Sequence, residues 1–146
     1  MSLPQVAGKV LFLLATTACV AQSRPAKGCL SYEPAVVNLN GILISETFPG
    51  PPNYEGTRQG DKAEVYWLID LSRPVCVNAD KREPDLNQVQ KSVRRVQLVL
   101  DPIVYERQKG LLGKRVVVTG TLFGAHTAHH HTPVLLTVKT LEVAER

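Results

Sequence analysis

Two runs of β-branched and aliphatic residues near the end of the chain constrain its fold more than any other feature. Residues 114–124 and 134–143 each hold such a run, and glycine, histidine and proline residues are concentrated in the connection between them. Such runs favour strands, so the pattern predicts an antiparallel hairpin. All four histidines of the chain fall in the connection, at His126, His129, His130 and His131. The hairpin predicts a β-rich fold and holds the main cluster of chemically versatile side chains.

The first residues have the features of a targeting segment. Lys9 precedes an apolar run, residues 10–21, that is too short to cross a bilayer and has the length of a signal-peptide core. The small residues Cys19 and Ala21 predict cleavage after Ala21, so we expect a signal peptide over residues 1–21 and a secreted, periplasmic protein. The alternative is a lipoprotein anchored at Cys19, although a threonine stands where a lipobox carries leucine. Contact with a membrane is expected only through these two features.

The rest of the chain has room for one domain. Residues 22–34 form a polar leader, and residues 35–146 are long enough for one hydrophobic core and too short for two. The net charge of +4 is spread along the chain and favours acidic partners only slightly.

Two cysteines, Cys29 and Cys76, follow the expected signal peptide. In an oxidising compartment an even pair more often forms a bridge than stays free, so we predict a Cys29–Cys76 disulfide. Such a bridge would tie the leader to the wall of the domain. Two unpaired, buried thiols are the alternative.

Apolar alternation predicts five strands. They cover residues 35–47, 62–71, 93–100, 114–124 and 134–143, with a turn at 72–74 leading to a short apolar piece at 75–77. In the second strand the alternation places Val65, Trp67 and Ile69 towards the core. Residues 48–60 and 78–91 are rich in turn formers or in charge, and we expect them to form surface loops.

Glycines in the middle of two strands mark bends. Gly41 and Gly120 stand in the same frame of the first and fourth strands, where a missing side chain lets a long strand coil. In the fifth strand, apolar residues on both faces after Lys139 predict a bulge near that residue.

A short helix is predicted between the third and fourth strands. Asp101 is a helix N-cap residue and Pro102 suits the first helical position, so the helix starts there and ends near Gly110 or Gly113. The order is strand, strand, strand, helix, strand, strand. It predicts an all-β fold with one short helix, a five-stranded closed barrel like the oligonucleotide- and oligosaccharide-binding (OB) fold.

Several segments together resemble a known family. They are Cys29–Pro34, Asn40–Gly41, Gly50–Glu55, Pro74–Val77, Gly113–Leu122 and His129–Leu136. In these segments the chain resembles a family of small secreted bacterial domains of unknown function (DUF4431-like). The resemblance implies an OB-like fold and brings no activity, cofactor or catalytic residue with it.

The four histidines raise the possibility of a metal site. On an extended segment His129 and His131 point to one face and His130 to the other, so a site would use His129 and His131, or add His126 from across the hairpin as a third ligand. Neutral imidazoles suit zinc or copper, and water or Glu55 would complete a tetrahedron. The alternative is that these histidines line a loop and form hydrogen bonds within it.

Other kinds of function have weaker support. A surface that binds nucleic acid needs aromatic and basic side chains, and the sequence offers few candidates for one: Tyr66, Arg95 and Arg115. An extracytoplasmic location also disfavours that partner. Asp61 and Glu64 are isolated carboxylates on what we expect to be a solvated face, and the sequence has no phosphate loop or nucleophile elbow. We therefore expect no catalysis.

The leading hypothesis is a binding module for a protein or a cell-envelope glycan. The contact surface is expected to include the loop at residues 48–60 and the histidine-rich connection. Its candidate residues are Tyr54, Tyr66, Arg95, Arg115 and His130. A periplasmic protein that binds zinc or copper through His126, His129 and His131 is the alternative, and an envelope hydrolase is the third hypothesis.

Overall fold

A computed structural model describes residues 28–145. Its strands are β1 (Val36–Pro49), β2 (Ala63–Val77), β3 (Gln90–Val99), β4 (Arg115–Gly124) and β5 (Val134–Val143), with helix α1 (Pro102–Gln108) and 3₁₀ turns at Thr57–Gln59 and Lys109–Leu111. The predicted signal peptide, Cys19 and leader residues 22–27 lie outside the described residues. Among residues 28–145, no helix has the length and apolar character that a membrane crossing requires.

The five strands form one sheet that closes into a ring. The order around the ring is β1-β2-β3-β5-β4, and β4 pairs with β1. Only β3 and β5 run parallel, so the sheet is mixed. Helix α1 lies between β3 and β4 in the chain, and its first turn is capped by the Asp101 side chain, which accepts a hydrogen bond of 2.8 Å from the backbone N–H of Ile103. The prediction of five strands with one short helix between the third and fourth is confirmed.

Apolar alternation places the core on one face of each strand. In β4 the pattern is regular, with Val116, Val118 and Leu122 buried between partly exposed neighbours. In β2, Trp67 and Ile69 are buried as predicted. The prediction that Val65 faces the core is wrong, since its side chain is 60% exposed.

Val65 is exposed because the hairpin of β1 and β2 extends beyond the ring. β1 pairs with β4 only over residues 36–42, and β2 pairs with β3 only from Leu68 onward. Residues 45–49 and 63–67 therefore pair only with each other, which carries the hairpin beyond the ring. Thr47 and Val65, which pair there, have no core beneath them.

The predicted turn at 72–74 is also wrong. Residues 63–77 form one continuous strand, β2, and the disturbance is a shift in register. Asp70 pairs with Arg95, and the next pair is Val75 with Val93, so β2 has more residues between the two pairs than β3. The surplus residues bulge out of β2 without ending it.

Gly120 lies at a close approach of two strands. A Cβ atom on Gly120 would lie 2.1 Å from the carbonyl oxygen of Thr137 on β5. The register of β4 and β5 shifts here: Thr119 pairs with Thr140, the next pair is Gly120 with Val138, and Lys139 is left over. The predicted bulge near Lys139 is confirmed, and the glycine is required because the bulge brings the β5 backbone against β4.

Replacing Gly120 with valine is expected to lower the free energy of unfolding by about 3 kcal/mol, because the new side chain would collide with backbone that cannot move aside cheaply. Thr121→Val is the matched control on the same strand. It exchanges one β-branched residue for another at a partly exposed position and should cost less than about 0.5 kcal/mol. Urea unfolding measures both values. Equal stabilities would contradict the close approach.

A disulfide ties the segment before β1 to the end of β2. Cys29 and Cys76 are bonded, as predicted. The neighbouring Leu30 forms a bridge with Val77, and its backbone N–H donates a 2.7 Å hydrogen bond to the carbonyl oxygen of Cys76. This contact adds a short parallel pairing beside β2, so the bridge and the hydrogen bond hold the same segment.

In protein cleaved after Ala21, denatured and unreduced, we expect thiol titration to find no free thiol. Replacing Cys29 and Cys76 together with alanine should lower the free energy of unfolding by about 4 kcal/mol, because a crosslink across a sequence separation of 47 restricts the unfolded chain. Two titratable thiols in the parent protein would contradict the bridge.

The charged insertion at residues 78–89 packs onto the ring. Asn87 is only 2% exposed, and its side-chain oxygen accepts a 2.9 Å hydrogen bond from the backbone N–H of Gly124. The hydroxyl of the buried Tyr32 donates to the carbonyl oxygen of Gln88 at 2.7 Å. The insertion is a loop, as predicted, and it is fixed at the point where β4 ends.

Candidate functional site

Two loops meet on the outer face of β2. One joins β1 to β2 (residues 50–62, the Tyr54 loop), and the other joins β4 to β5 (residues 125–133, the histidine loop). The hydroxyl oxygen of Tyr54 lies 3.2 Å from Nε2 of His129. The hydroxyl oxygen of Tyr66 lies 3.2 Å from Nδ1 of the same ring. His129 therefore stands between the Tyr54 loop and β2.

Glu64 completes the junction. Its Oε2 accepts a hydrogen bond of 2.9 Å from His129 Nδ1 and another of 2.9 Å from the Tyr66 hydroxyl. Glu64, His129 and Tyr54 thus form a chain of carboxylate, imidazole and phenol. With Tyr66, Phe48 and His131 these residues make up what we call the loop-junction site.

The protons in this chain can be assigned from the hydrogen bonds. The bond from His129, followed by the bond from Tyr66, holds the pKa of Glu64 below its usual value, so the carboxylate is ionised at neutral pH. An ionised carboxylate only accepts hydrogen bonds, so Nδ1 of His129 carries a proton. When Nδ1 carries the only ring proton, Nε2 is an acceptor, and the Tyr54 hydroxyl donates to it.

Tyr66 is held as a proton donor. Burial, together with its hydrogen bond to the Glu64 carboxylate, raises the pKa of Tyr66 to about 12. The phenol stays protonated throughout the physiological range and fixes the orientation of Glu64. Tyr66 therefore positions the carboxylate.

The second histidine of the site is packed against an aromatic ring. His131 stacks on Phe48 with the ring centroids 3.9 Å apart and the planes inclined by 2°, and it lies 5.1 Å from the Tyr66 ring. Burial lowers the pKa of His131, so the ring is neutral at neutral pH. Its Nε2 is buried and has no hydrogen-bond partner among residues 28–145.

A buried glutamine holds the histidine loop in place. Gln97 on β3 is 2% exposed although it lies on the outer face of the sheet. Its side-chain amide donates to the carbonyl oxygen of His129 at 2.9 Å and accepts from the N–H of His131 at 2.7 Å. The backbone N–H of Gln97 donates to the Thr132 hydroxyl at 2.9 Å. The side chain therefore pairs with the loop as a neighbouring strand would.

Apolar residues lie on both sides of this amide. Gln97 pairs in register with Leu68 on β2 and Leu135 on β5, and both are almost fully buried on the outer face. They lie outside the main core cluster. The histidine loop thus covers a small second apolar cluster outside the ring, and Gln97 satisfies the backbone groups that the loop buries there.

We expect Gln97→Leu to lower the free energy of unfolding by about 2 kcal/mol, because it leaves the backbone groups of His129 and His131 without partners. Amide hydrogens in residues 125–133 should then exchange faster in the variant than in the parent protein. The matched control is Gln90→Leu on the same strand, a partly exposed position, which should cost less than about 0.5 kcal/mol. Unchanged exchange in the histidine loop of the Gln97 variant would contradict the anchoring role.

A buried carboxylate holds the Tyr54 loop. Asp61 is 6% exposed and accepts three backbone hydrogen bonds, from the N–H groups of Asn53 (2.9 Å), Glu55 (2.8 Å) and Gly56 (3.0 Å). These bonds wrap the backbone around the carboxylate on both sides of Tyr54. Tyr54 has a φ of 60°, a left-handed conformation that costs a non-glycine residue free energy. The loop holds Tyr54 there, with its hydroxyl at His129.

The stability of the Tyr54 loop should depend on acid. The bonds from Gly56 and Asn53 lower the pKa of Asp61 below its ordinary value of 3.8. Between the two values the unfolded chain binds more protons than the folded one, so this contribution is present above about pH 4 and is lost as the pH falls through the folded pKa. Thermal melts of Asp61→Asn should be lower than those of the parent at pH 7, and the difference should shrink towards pH 2.5.

Glu55→Gln is the control for this titration. Glu55 is an exposed carboxylate in the same loop, so its replacement should leave the melting curve unchanged across the range. A difference between parent and Asp61→Asn that stays constant down to pH 2.5 would contradict the role of the Asp61 charge.

The other two histidines lie on the opposite side of the loop. His130 packs edge-on against Phe123 at 5.5 Å and against His126 at 4.6 Å. Its Nδ1 accepts a 3.0 Å hydrogen bond from the backbone N–H of His126. Burial, and then the neighbouring His126, lowers the pKa of His130. His130 thus lies apart from His129 and His131, although residues 128–129 form a turn and not the extended segment that the prediction assumed.

The predicted metal ligands do not converge. His126 Nδ1 lies 3.0 Å from the carbonyl oxygen of Gly124, whereas His129 bonds to Glu64 and His131 stacks on Phe48. Within the described part of the chain, no three His, Cys, Asp or Glu side chains are placed to hold a metal ion. Metal binding by His126, His129 and His131 stays a prediction, and it would need the loop to rearrange.

The two predicted arginines lie in different places. Arg95 on β3 bonds to Glu46 Oε2 at 3.2 Å, and Glu46 pairs across the hairpin with Tyr66. Arg95 therefore borders the loop-junction site. Arg115 donates to the Ser72 hydroxyl at 2.5 Å and belongs to a separate polar group. Of the residues predicted for a partner surface, the structure joins Tyr54 and Tyr66 through His129 and leaves Arg115 apart.

The sequence did not predict the roles of four important residues. Glu64 and Asp61 were expected on a solvated face, yet one is bonded into the site and the other is buried. Phe48 and Gln97 had no assigned role. One signal for Gln97 was present: Val134, Leu135 and Leu136 follow one another on β5, and a strand without alternation is covered on both faces.

The site can make several hydrogen bonds to a ligand. A carboxylate, imidazole and hydroxyl in series fix one another's proton positions, an arrangement that also recurs in hydrolases. Here the last group is the Tyr54 phenol, and His129 is exposed. The site offers fixed donors and acceptors beside aromatic rings.

One comparison with known proteins gives a match. Residues 95–142 match the family described as a domain of unknown function (DUF4431), so this part of the chain carries a DUF4431 domain. It begins in β3 and includes α1, β4, the histidine loop and nearly all of β5. Neither a curated protein nor a solved structure matches the chain.

Proposed function

We propose that this chain, which carries a DUF4431 domain over residues 95–142, is a secreted binding module that holds a cell-envelope glycan at the loop-junction site and does not transform it. We also propose that the chain folds as an OB-type barrel. The ring order β1-β2-β3-β5-β4, the parallel contact of β3 with β5 and the helix between β3 and β4 support that assignment.

The position of the site fits this fold. OB barrels bind oligosaccharides and oligonucleotides on the face of their second and third strands, between the loop that joins strands one and two and the loop that joins strands four and five. Tyr54 and His129 come from these two loops, and Glu64 and Tyr66 come from the second strand. The loop-junction site therefore lies where OB barrels bind their ligands.

The single observation that carries the proposal is the hydrogen-bonded chain Glu64–His129–Tyr54. It joins the two loops through bonds of 2.9 and 3.2 Å and is built on a backbone that holds Tyr54 in an unfavourable conformation. Strain of this kind gathers at functional sites. The chain presents polar atoms in fixed directions, which is what a ligand with many hydroxyl groups needs.

The chemistry of the site favours a glycan over a protein partner. Protein interfaces are centred on exposed apolar and aromatic anchors. The large apolar side chains exposed within residues 28–145, such as Val65 and Ile103, are not members of the site. Hydroxyl, imidazole and carboxylate groups beside aromatic rings can bond to sugar hydroxyls and pack against sugar C–H groups. An envelope location accords with the expected signal peptide and the Cys29–Cys76 bond.

The test is calorimetric titration of the cleaved protein with soluble peptidoglycan strands and with chitotetraose. We expect binding of the strands, and His129→Ala should weaken it at least about tenfold because it removes the group that links Tyr54 to Glu64. His126→Ala is the matched control, an exposed histidine of the same loop that bonds to Gly124 and should leave affinity unchanged. A chelator should have no effect.

Three results would overturn the proposal. The parent could bind no glycan, His126→Ala could weaken binding as much as His129→Ala, or incubation could release new reducing ends from the strands. The last result would favour a hydrolase, with His129 taking a proton from Tyr54. Binding abolished by the chelator would favour the metal-binding alternative.

A further inference from the structure

A groove continues from the loop-junction site along the outer side of β2 and β3. Its volume is about 520 Å³. Its lining includes Asp70, Lys91, Arg94, Arg95, Thr132 and Pro133. The groove opens where the register of β2 against β3 shifts between Asp70 and Val75.

The groove and the loop-junction site share a boundary. Thr132 and Pro133 are the last residues of the histidine loop, and Thr132 is fixed by its bond to the backbone of Gln97. Arg95 lines the groove and bonds to Glu46, which pairs across the hairpin with Tyr66. A chain-like ligand that leaves the loop-junction site along β3 would therefore enter the groove.

The charge of the groove is positive and partly uncompensated. Arg95 lies between two carboxylates, with Glu46 at 3.2 Å and Asp70 at 3.9 Å. Lys91 and Arg94 are exposed, and neither pairs with an acidic side chain within residues 28–145. Two cations in one groove without partners attract an anion.

The backbone between these two cations is strained. Ser92 has a φ of 54°, a left-handed conformation that few residues other than glycine adopt. It follows Lys91 and lies two positions before Arg94, inside the lining of the groove. Its position coincides with a second register shift of β2 against β3, between the pairs Val75–Val93 and Val77–Gln90, so the conformation belongs to a bulge in β3 that shapes the groove.

We propose that the groove binds the acidic groups of the glycan, so that the ligand is an acidic oligosaccharide with sugar rings at Tyr54 and His129 and a carboxylate or phosphate between Lys91 and Arg94. This inference rests on the proposed function, since it assigns the ligand class of the same surface. It adds a site that the Glu64–His129–Tyr54 chain does not require.

A single-stranded nucleic acid is the competing anionic polymer. Its bases need free aromatic faces on which to stack. One face of Phe48 is covered by His131 at 3.9 Å, and Tyr66 is bonded to Glu64 and partly buried. Beside the groove the surface therefore offers hydrogen-bonding groups and few free aromatic faces. This favours an acidic glycan over a nucleic acid.

The experiment compares tetragalacturonate, which is acidic, with neutral chitotetraose by calorimetry at low and high salt. We expect the parent to prefer the acidic sugar at about 10 mM salt and to lose much of that preference by about 150 mM, where the Debye length falls from about 30 to about 8 Å. Lys91→Ala/Arg94→Ala should weaken binding of the acidic sugar about fivefold and leave the neutral sugar unchanged.

Lys81→Ala/Arg107→Ala is the control, because it removes the same charge from exposed positions on the 78–89 loop and α1. It should retain the preference for the acidic sugar. A single-stranded oligonucleotide serves as a third probe, and tighter binding of this probe than of tetragalacturonate would overturn the inference in favour of nucleic acid.

The two failures are distinguishable. If neither sugar binds the parent at any salt concentration and the soluble peptidoglycan strands do not bind either, the proposed function fails and the inference fails with it. If both sugars bind equally, or the preference for the acidic sugar survives Lys91→Ala/Arg94→Ala, the groove has no role and the proposed function still stands. If the double variant does not fold, the change with salt in the parent's preference for the acidic sugar tests the inference by itself.

Discussion

The contact of one side-chain amide with two backbone groups is the interaction on which the site depends. Gln97 takes the place of a strand neighbour for His129 and His131, and so allows nine residues without regular structure, 125–133, to lie against the sheet with their polar groups paired. His129 then has a fixed backbone from which to reach Glu64 and Tyr54. Without that pairing, water would satisfy the loop better than the protein does, and the imidazole would have no defined position.

Charge organises the other half of the site. The Asp61 carboxylate holds one side of the Tyr54 loop and the Glu64 carboxylate holds the histidine ring, so two ionised groups determine the geometry around a neutral phenol. Each carboxylate is compensated by N–H or O–H donors and has no Lys or Arg partner within residues 28–145. Hydrogen bonds to a carboxylate are directional, so these donors and carboxylates fix the geometry of the loops.

The sequence predicted most of the fold because strand alternation reports local burial. The residues of β4, the capped helix after Asp101 and the bulge at Lys139 all follow from nearest-neighbour patterns. Val65 was misplaced because its alternation is the same whether or not a core lies beneath it. Glu64 and Gln97 were beyond reach for a related reason, since their burial and bonding depend on loops that return from distant parts of the chain. The histidines were identified as a cluster, but the side-chain partners of His129 come from residues more than sixty positions away.

The extension of the β1–β2 hairpin beyond the ring gives the site two walls of unequal stiffness. The histidine loop stands on the closed sheet, whereas Phe48, Glu64 and Tyr66 stand on a ribbon in which each strand has a single neighbour. A two-stranded ribbon bends and twists more easily than a sheet with neighbours on both sides. A ligand of the wrong width would deform the ribbon at small cost, so such a site would discriminate poorly between ligands of different size. Selectivity at such a junction must come from the directions of its hydrogen bonds.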